Sequence, residues 1–325
     1  MKNKRLLFHF TFLIYFLCPI STWANQSIVG PVNQESLSKI KKLLDTPEEE
    51  IDFAHIKLTI DNIIDPTVNI SRENIRLERI VKDIKKLGLE TSMERKEALR
   101  RYLYEAGEWN NFKPFTYDFD DPNGTDIDNK LFKNYLTTKK GNCISMPFLF
   151  IALGQKLDLD VTASTAPNHV FVKYTDTDSG RTYNLETTSG AQTARDEWIR
   201  EQLPMTDLAI KNKLYMQKLS RKKTAAIMLE TLLDHYRKQN RHGQLIATAN
   251  VLIEHYPESI NTVIKVASAY NHLLKVHNVW QYHLPHEVPL QKRRVFTYLT
   301  TRINELHHYA ESLGWRNPKH SIYKS

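Results

Sequence analysis

Three side chains in the middle of the chain have the types and order of a thiol nucleophile, its base and an orienting group. Cys143 lies in KKGNCISMPFLFIALGQKLDLDV, His169 in APNHVFVKY and Glu186 in RTYNLETTSG, with Asn184 two residues before the acid. A cysteine attacks as its thiolate, and a neighbouring imidazole carries the proton. A partner on the second ring nitrogen fixes the tautomer and supports the imidazolium. Such a set performs acyl transfer through a thioester. Glu186 and Asn184 share one face of their strand, so either can supply the orienting group.

These residues need particular elements to hold them. The run from Cys143 to Leu157 is apolar nearly all round, which predicts a helix buried in a core. Cys143 stands at its mouth, where unpaired N–H groups carry partial positive charge. That position stabilises a thiolate and can bind an oxyanion through the Cys143 N–H, with Asn142 as a further candidate. Lys139 and Lys140 add positive charge, and Gly141 is expected to allow a tight turn and leave room for a ligand. A short helix over Leu131 to Thr138 precedes it. Strands are predicted at Asp160 to Ala163, Val170 to Tyr174 and Thr182 to Glu186. The last two form a hairpin through the turn Asp176 to Gly180. Pairing in that hairpin brings the acid strand beside the histidine strand.

Gly-Asn-Cys at the start of an apolar helix, Leu-Asp-Val, His-Val-Phe-Val and then an acid before Thr-Thr-Ser-Gly resembles the transglutaminase-like superfamily. The resemblance covers Lys139 to Gly190. It implies a papain-like core of α+β class, a helix packed on a small antiparallel sheet. It further implies Cys143 as nucleophile, His169 as base and Glu186 at the place of the family's aspartate. Two departures stand out: the acid is Glu rather than Asp, and Phe171 occupies a place that is often Trp. Asn184 could orient the imidazole instead, as an asparagine does in papain. Some bacterial relatives are exported and carry tetratricopeptide-like tails.

The bulk composition is that of a globular protein: 325 residues, 41% hydrophobic and 25% charged. Residues 1–24 read as a secretory signal peptide. Lys2, Lys4 and Arg5 precede the apolar run Leu6 to Leu17, and Thr22-Trp23-Ala24 provides a cleavage site. The run is shorter than the roughly 20 residues that span a bilayer. Without Lys2, Lys4 and Arg5 the chain keeps 42 basic against 37 acidic residues, a net charge of +5. Those charges are interspersed along helices, which argues against nucleic acid as a partner. Removal of Cys18 leaves Cys143 as the single thiol, with no intramolecular partner. The expected location is the periplasm or the exterior.

Before the core, Gln34 to Gly107 reads as helical. Ser36 opens a helix through Leu44, and Thr46-Pro47-Glu48-Glu49-Glu50 is a second helix start. Ile75, Ile80, Ile84 and Leu87 mark a third helix, and Met93 to Tyr104 a fourth. The segment Asn110 to Asn129 is polar, aromatic and turn-rich. After the core, Ala194 to Glu201 and Thr206 to Leu219 are expected to be helical, as is the chain from Arg221 to about Leu313. Tyr236 and Tyr270, 34 residues apart, suggest a tetratricopeptide-like period. The expected division is 1–24 signal, 25–130 helical region and loop, 131–219 core and 220–325 helical tail.

The leading expectation is an exported cysteine peptidase, amidase or transamidase acting on peptide amides. Water resolving the thioester gives hydrolysis, and an amine gives transamidation. The alternative is a non-catalytic scaffold that binds a peptide or protein through the core, the aromatics of Trp109 to Phe119 and the helical tail. No cofactor is called for. No HExxH spacing or second cysteine supports a metal site, despite 13 histidines.

Overall fold

The computed structural model describes residues 27–317; the signal-peptide reading of 1–24 lies outside them. The described residues divide into two units, one of residues 42–231 and one of residues 27–41 with 232–317.

The first unit is built around a helix that is apolar on every side. After α1 (Gln34–Asp45) come α2 (Phe53–Ile64), α3 (Ile70–Lys85), α4 (Ser92–Tyr104), α5 (Phe132–Thr138) and α6 (Ser145–Lys156). Every residue of α6 from Ser145 to Gly154 is buried. The reason is its surroundings: α2, α3, α4 and α5 pack around it, and the strands Asp160–Ala166 and His169–Thr175 cover the remainder. Burying each of its large side chains stabilises the unit by roughly 1.5–3 kcal/mol. A small parallel pair, β1 (Thr116–Tyr117) with β2 (Lys140–Gly141), precedes the main sheet. That sheet is antiparallel, in the order β3 (Asp160–Ala166), β4 (His169–Thr175), β5 (Thr182–Glu186) and β6 (Gln192–Ala194). The α+β class follows directly, with a helix packed on a small antiparallel sheet.

Several elements differ from their sequence expectations for identifiable reasons. The first helix starts at Gln34, where Asn33 rather than Ser36 acts as cap by accepting the Ser36 N–H at 3.0 Å. Glu48–Glu50 forms only a 3₁₀ turn. The next helix begins at Phe53 because the Gln155 side chain holds the chain extended before it. Gln155 donates to the Ile51 carbonyl at 2.6 Å and accepts from the Phe53 N–H at 2.9 Å. Asp52 then caps the helix. In α3 the core face is Leu77, Ile80, Val81 and Ile84, while Ile75 and Leu87 are 60% and 62% exposed. Residues 206–219 are not one helix. After α7 (Asp196–Gln202) and the short α8 (Asp207–Lys211), the chain turns along the outer edge of β3. There Met216 and Leu219 donate to the Thr165 and Ala163 carbonyls at 2.9 and 3.1 Å. Unpaired strand edges attract such cover. The far face of β4 is also covered, with Phe171 packed against Ala166 and Ile199. Both faces of the strand are therefore buried, which an alternating reading of it does not anticipate.

In the second unit α10 (His242–His255), α11 (Ile260–Val276) and α12 (Leu290–Ser312) pack in succession. The helix Arg221–Lys238 (α9) precedes them. Tyr236 and Tyr270 are both buried. Residues 277–289 interrupt the helical run expected through Leu313, and Val279 and Val288 from this connection pack on Phe296. Among the described residues no helix is long and apolar enough to cross a membrane.

Candidate active site

The chain enters the site through α5. Lys139 ends that helix in the left-handed conformation, φ 57°, and Lys140–Gly141 then pair with Thr116–Tyr117. Gly141 is confined, not open. A Cβ there would overlap the Tyr135 ring and the Met146 side chain. The glycine therefore admits tyrosine packing, which replaces the expectation of room for a ligand. The lysines also turn away: Lys139 Nζ donates to the Asn110 and Lys113 carbonyls, and exposed Lys140 pairs with Asp120 at 3.3 Å.

Asn142 is fully buried and shapes the turn that carries the thiol. Its Oδ1 accepts from the Ile144 and Ser145 N–H groups at 3.0 and 3.1 Å, and its own N–H donates to Ser145 Oγ at 3.1 Å. This reciprocal pattern has the logic of a capping box. Its Nδ2 donates to the Asn129 carbonyl at 3.3 Å. The amide is thus engaged in building the turn, not in facing an oxyanion. The Met146 N–H closes the turn on the Asn142 carbonyl. Cys143 precedes the first residue of α6 by two positions, rather than opening the helix itself. The thiol is free, with the residue 8% exposed. Among the described residues its N–H donates to no backbone or side-chain acceptor.

His169 opens β4 opposite Ala166, after a turn in which Asn168 has φ 55°. Glu186 closes β5. The ladder pairs Val172 with Leu185, so Phe171 is the next rung toward Glu186, and His169 lies diagonally beyond it on the same face. Such diagonal neighbours are about 7–8 Å apart at the backbone, within reach of long side chains. The longer arm of Glu meets that distance, and Glu186 Oε2 lies 2.7 Å from His169 Nε2. Its other oxygen, Oε1, accepts from the Thr188 N–H and Oγ1 at 3.1 and 2.7 Å. Asn184 pairs with Lys173, farther along the ladder, and its Nδ2 donates to Ala194 and Asp196. The structure thus brings together Cys143, His169 and Glu186 and leaves Asn184 apart.

Electrostatics favour a charged imidazole. Burial alone would lower the His169 pKa. Hydrogen bonds with the Cys143 thiol and the Glu186 carboxylate, with the charges of both, overcome this and push it up to about 9. Burial would raise the pKa of Glu186, but the His169 hydrogen bond and charge and the Thr188 donors hold it below the usual value. An opposite charge and donors on the ionised form act in this direction.

Three tyrosines also bear on the site, of which sequence reasoning named only Tyr117 as a candidate contact, among the aromatics of Trp109 to Phe119. Tyr135 is fully buried and Tyr104 half-buried, and desolvation followed by the charge of Glu186 raises the Tyr104 pKa. Tyr117, on β1, is raised by burial and then by Cys143 and Glu186. The available signal was the alternation Phe115-Thr116-Tyr117-Asp118-Phe119. Among the described residues no group of three or more His, Cys, Asp or Glu side chains is placed to hold a metal ion.

No curated protein and no solved structure matched the chain in comparisons with each set. Residues 72–230 match the family model of the transglutaminase-like superfamily. The match begins in α3, well ahead of the Gly-Asn-Cys motif, so the family's unit includes helices that pack around α6 as well as the cysteine turn and the sheet. Residues 72–230 of the chain thus form a transglutaminase-like superfamily domain.

Proposed function

We propose that the protein is an exported cysteine-dependent acyl-transfer enzyme acting on peptide or amide bonds. The observation that carries this reading is the His169–Glu186 contact at 2.7 Å, on an imidazole that also faces the thiol of Cys143. With Nε2 held by Glu186, Nδ1 is left for the cysteine.

The Cys143 sulfur attacks the amide carbonyl carbon, and the carbonyl electrons move onto oxygen. The Cys143 N–H receives that oxyanion. Collapse breaks the C–N bond, and the leaving amine takes its proton from His169 Nδ1. The resulting thioester is attacked by water or an amine, whose proton passes to His169. The second collapse returns the sulfur and releases a carboxylic acid or a new amide. Glu186 keeps the ring oriented throughout and supports its positive charge. Export rests on the signal-like residues 1–24, and a lone thiol outside the cytoplasm has no disulfide partner within its own chain.

Iodoacetamide labelling of Cys143, followed by mass in protein carrying Cys18→Ser, tests the pair. His169→Ala should slow labelling at neutral pH about tenfold or more, because the thiolate loses its counter-ion. Equal rates in the two proteins would remove the basis for a catalytic cysteine and favour the scaffold.

A further inference from the structure

We propose that Tyr117 and Phe119 form the wall of a side-chain subsite beside Cys143, so that the acyl donor is a peptide with an aromatic or large aliphatic residue next to the carbonyl under attack. This rests on the acyl-transfer reading above and names its substrate class.

The argument begins with the sequence Phe115-Thr116-Tyr117-Asp118-Phe119, whose aromatic residues alternate. In extended chain such residues share one face. Phe115 is buried, edge to face with Tyr135 at 5.1 Å between ring centroids. Tyr117 follows, and Phe119 meets it edge to face at 5.2 Å. Phe119 is 84% exposed. The row thus runs from the core under Gly141 to solvent.

Its path crosses the site. Thr116–Tyr117 pairs with Lys140–Gly141, the segment that leads into Cys143, and also contacts the Thr187–Ser189 turn that follows Glu186. The charges of Cys143 and Glu186 both act on the Tyr117 hydroxyl. The row therefore lies between the nucleophile arm and the acid arm.

The wall is held in place. Tyr117 donates its hydroxyl proton to the Pro122 carbonyl at 3.0 Å. The Asp118 N–H donates to the Gly141 carbonyl at 2.7 Å, and the Asp118 carboxylate accepts the Asp120 N–H at 3.1 Å. Phe119 projects from a braced turn. An exposed phenyl ring so positioned, edge to face against Tyr117 on the strand that pairs with the segment leading into Cys143, gains by covering apolar surface on an acyl donor.

A matched set of peptidyl vinyl sulfones, differing only in the side chain nearest the electrophile, tests the inference. Their rates of addition to Cys143 are read by intact mass in full-length protein carrying Cys18→Ser. Phe and Leu probes should label at least about tenfold faster than Ala and Glu probes, the discrimination a hydrophobic subsite can supply. Phe119→Ala should erase most of that advantage, and Tyr117→Leu should reduce it. Equal rates for Phe and Ala probes, or an advantage that survives both substitutions, would overturn the subsite. Failure of every probe to label in a His169-dependent way, with iodoacetamide still reporting the thiol, would overturn the acyl-transfer reading itself and the inference with it.

Discussion

Replacing Glu186 by Gln is the most informative single perturbation of the site. The side chain keeps its length and an oxygen to accept from His169 Nε2, but loses its charge. In the native protein the imidazole pKa rises from 6.5 to about 9. That difference corresponds to roughly 3 kcal/mol in favour of the imidazolium. The acid supplies part of it, through a hydrogen bond and a charge, and Cys143 supplies the rest. Removing the Glu186 charge should therefore lower the His169 pKa by about one to two. The ring Cε1–H resonance, assigned by its loss in His169→Ala, measures this directly across a pH titration. Stability gives an independent readout. The folded pKa is raised, so the stabilisation from protonated His169 is complete below pH 6.5 and disappears as pH rises through about 9. Denaturant unfolding of the native protein should weaken across that window, and Glu186→Gln should flatten the slope. A Gln variant whose imidazole titrates within a few tenths of the native value would refute the claim that this carboxylate sustains the charge.

Other substitutions test the elements that hold the site. Asp61→Ala removes the partner of fully buried Lys57 and the acceptor of the Phe132 N–H at the start of α5. It should cost about 3–5 kcal/mol by denaturation, and Lys57→Met in the same chain should recover much of that. Asn142→Ala leaves buried N–H groups in the cysteine turn without their acceptor; a loss of about 2–4 kcal/mol in denaturation, with slower Cys143 labelling, is expected. Gly141→Ala should destabilise by about 1–3 kcal/mol, because the new methyl meets Tyr135 and Met146. Cys143→Ala should retain the native circular dichroism spectrum while abolishing labelling and turnover.

The buried helix was legible because α6 is apolar on all sides, and only a helix enclosed by other elements tolerates that. The hairpin was equally legible: strands of alternating β-formers flank a turn whose Gly180 adopts φ 70°. Less legible were segments governed by distant partners. Nothing local at Thr46 to Ile51 shows that Gln155 will hold the chain extended before Phe53. Residues 206–219 carry helical character, yet the free edge of β3 claims their backbone N–H groups.

At the site, residue types and order determined the candidates: a thiol before an apolar helix, a histidine at a strand mouth and an acid at the end of the next strand. Those follow from chemistry and periodicity, which are local properties of the chain. The choice between Glu186 and Asn184 was a matter of register. Pairing Val172 with Leu185 puts the glutamate on the diagonal to His169 and leaves the asparagine opposite Lys173. Tertiary structure alone likewise turned Asn142 into the organiser of the cysteine turn, filled the space over Gly141 with Tyr135, and paired the Thr116–Tyr117 strand of the aromatic row with the segment that leads into Cys143. Each of these depends on contacts between segments remote in sequence, whose geometry exists only once the helices and the sheet have packed.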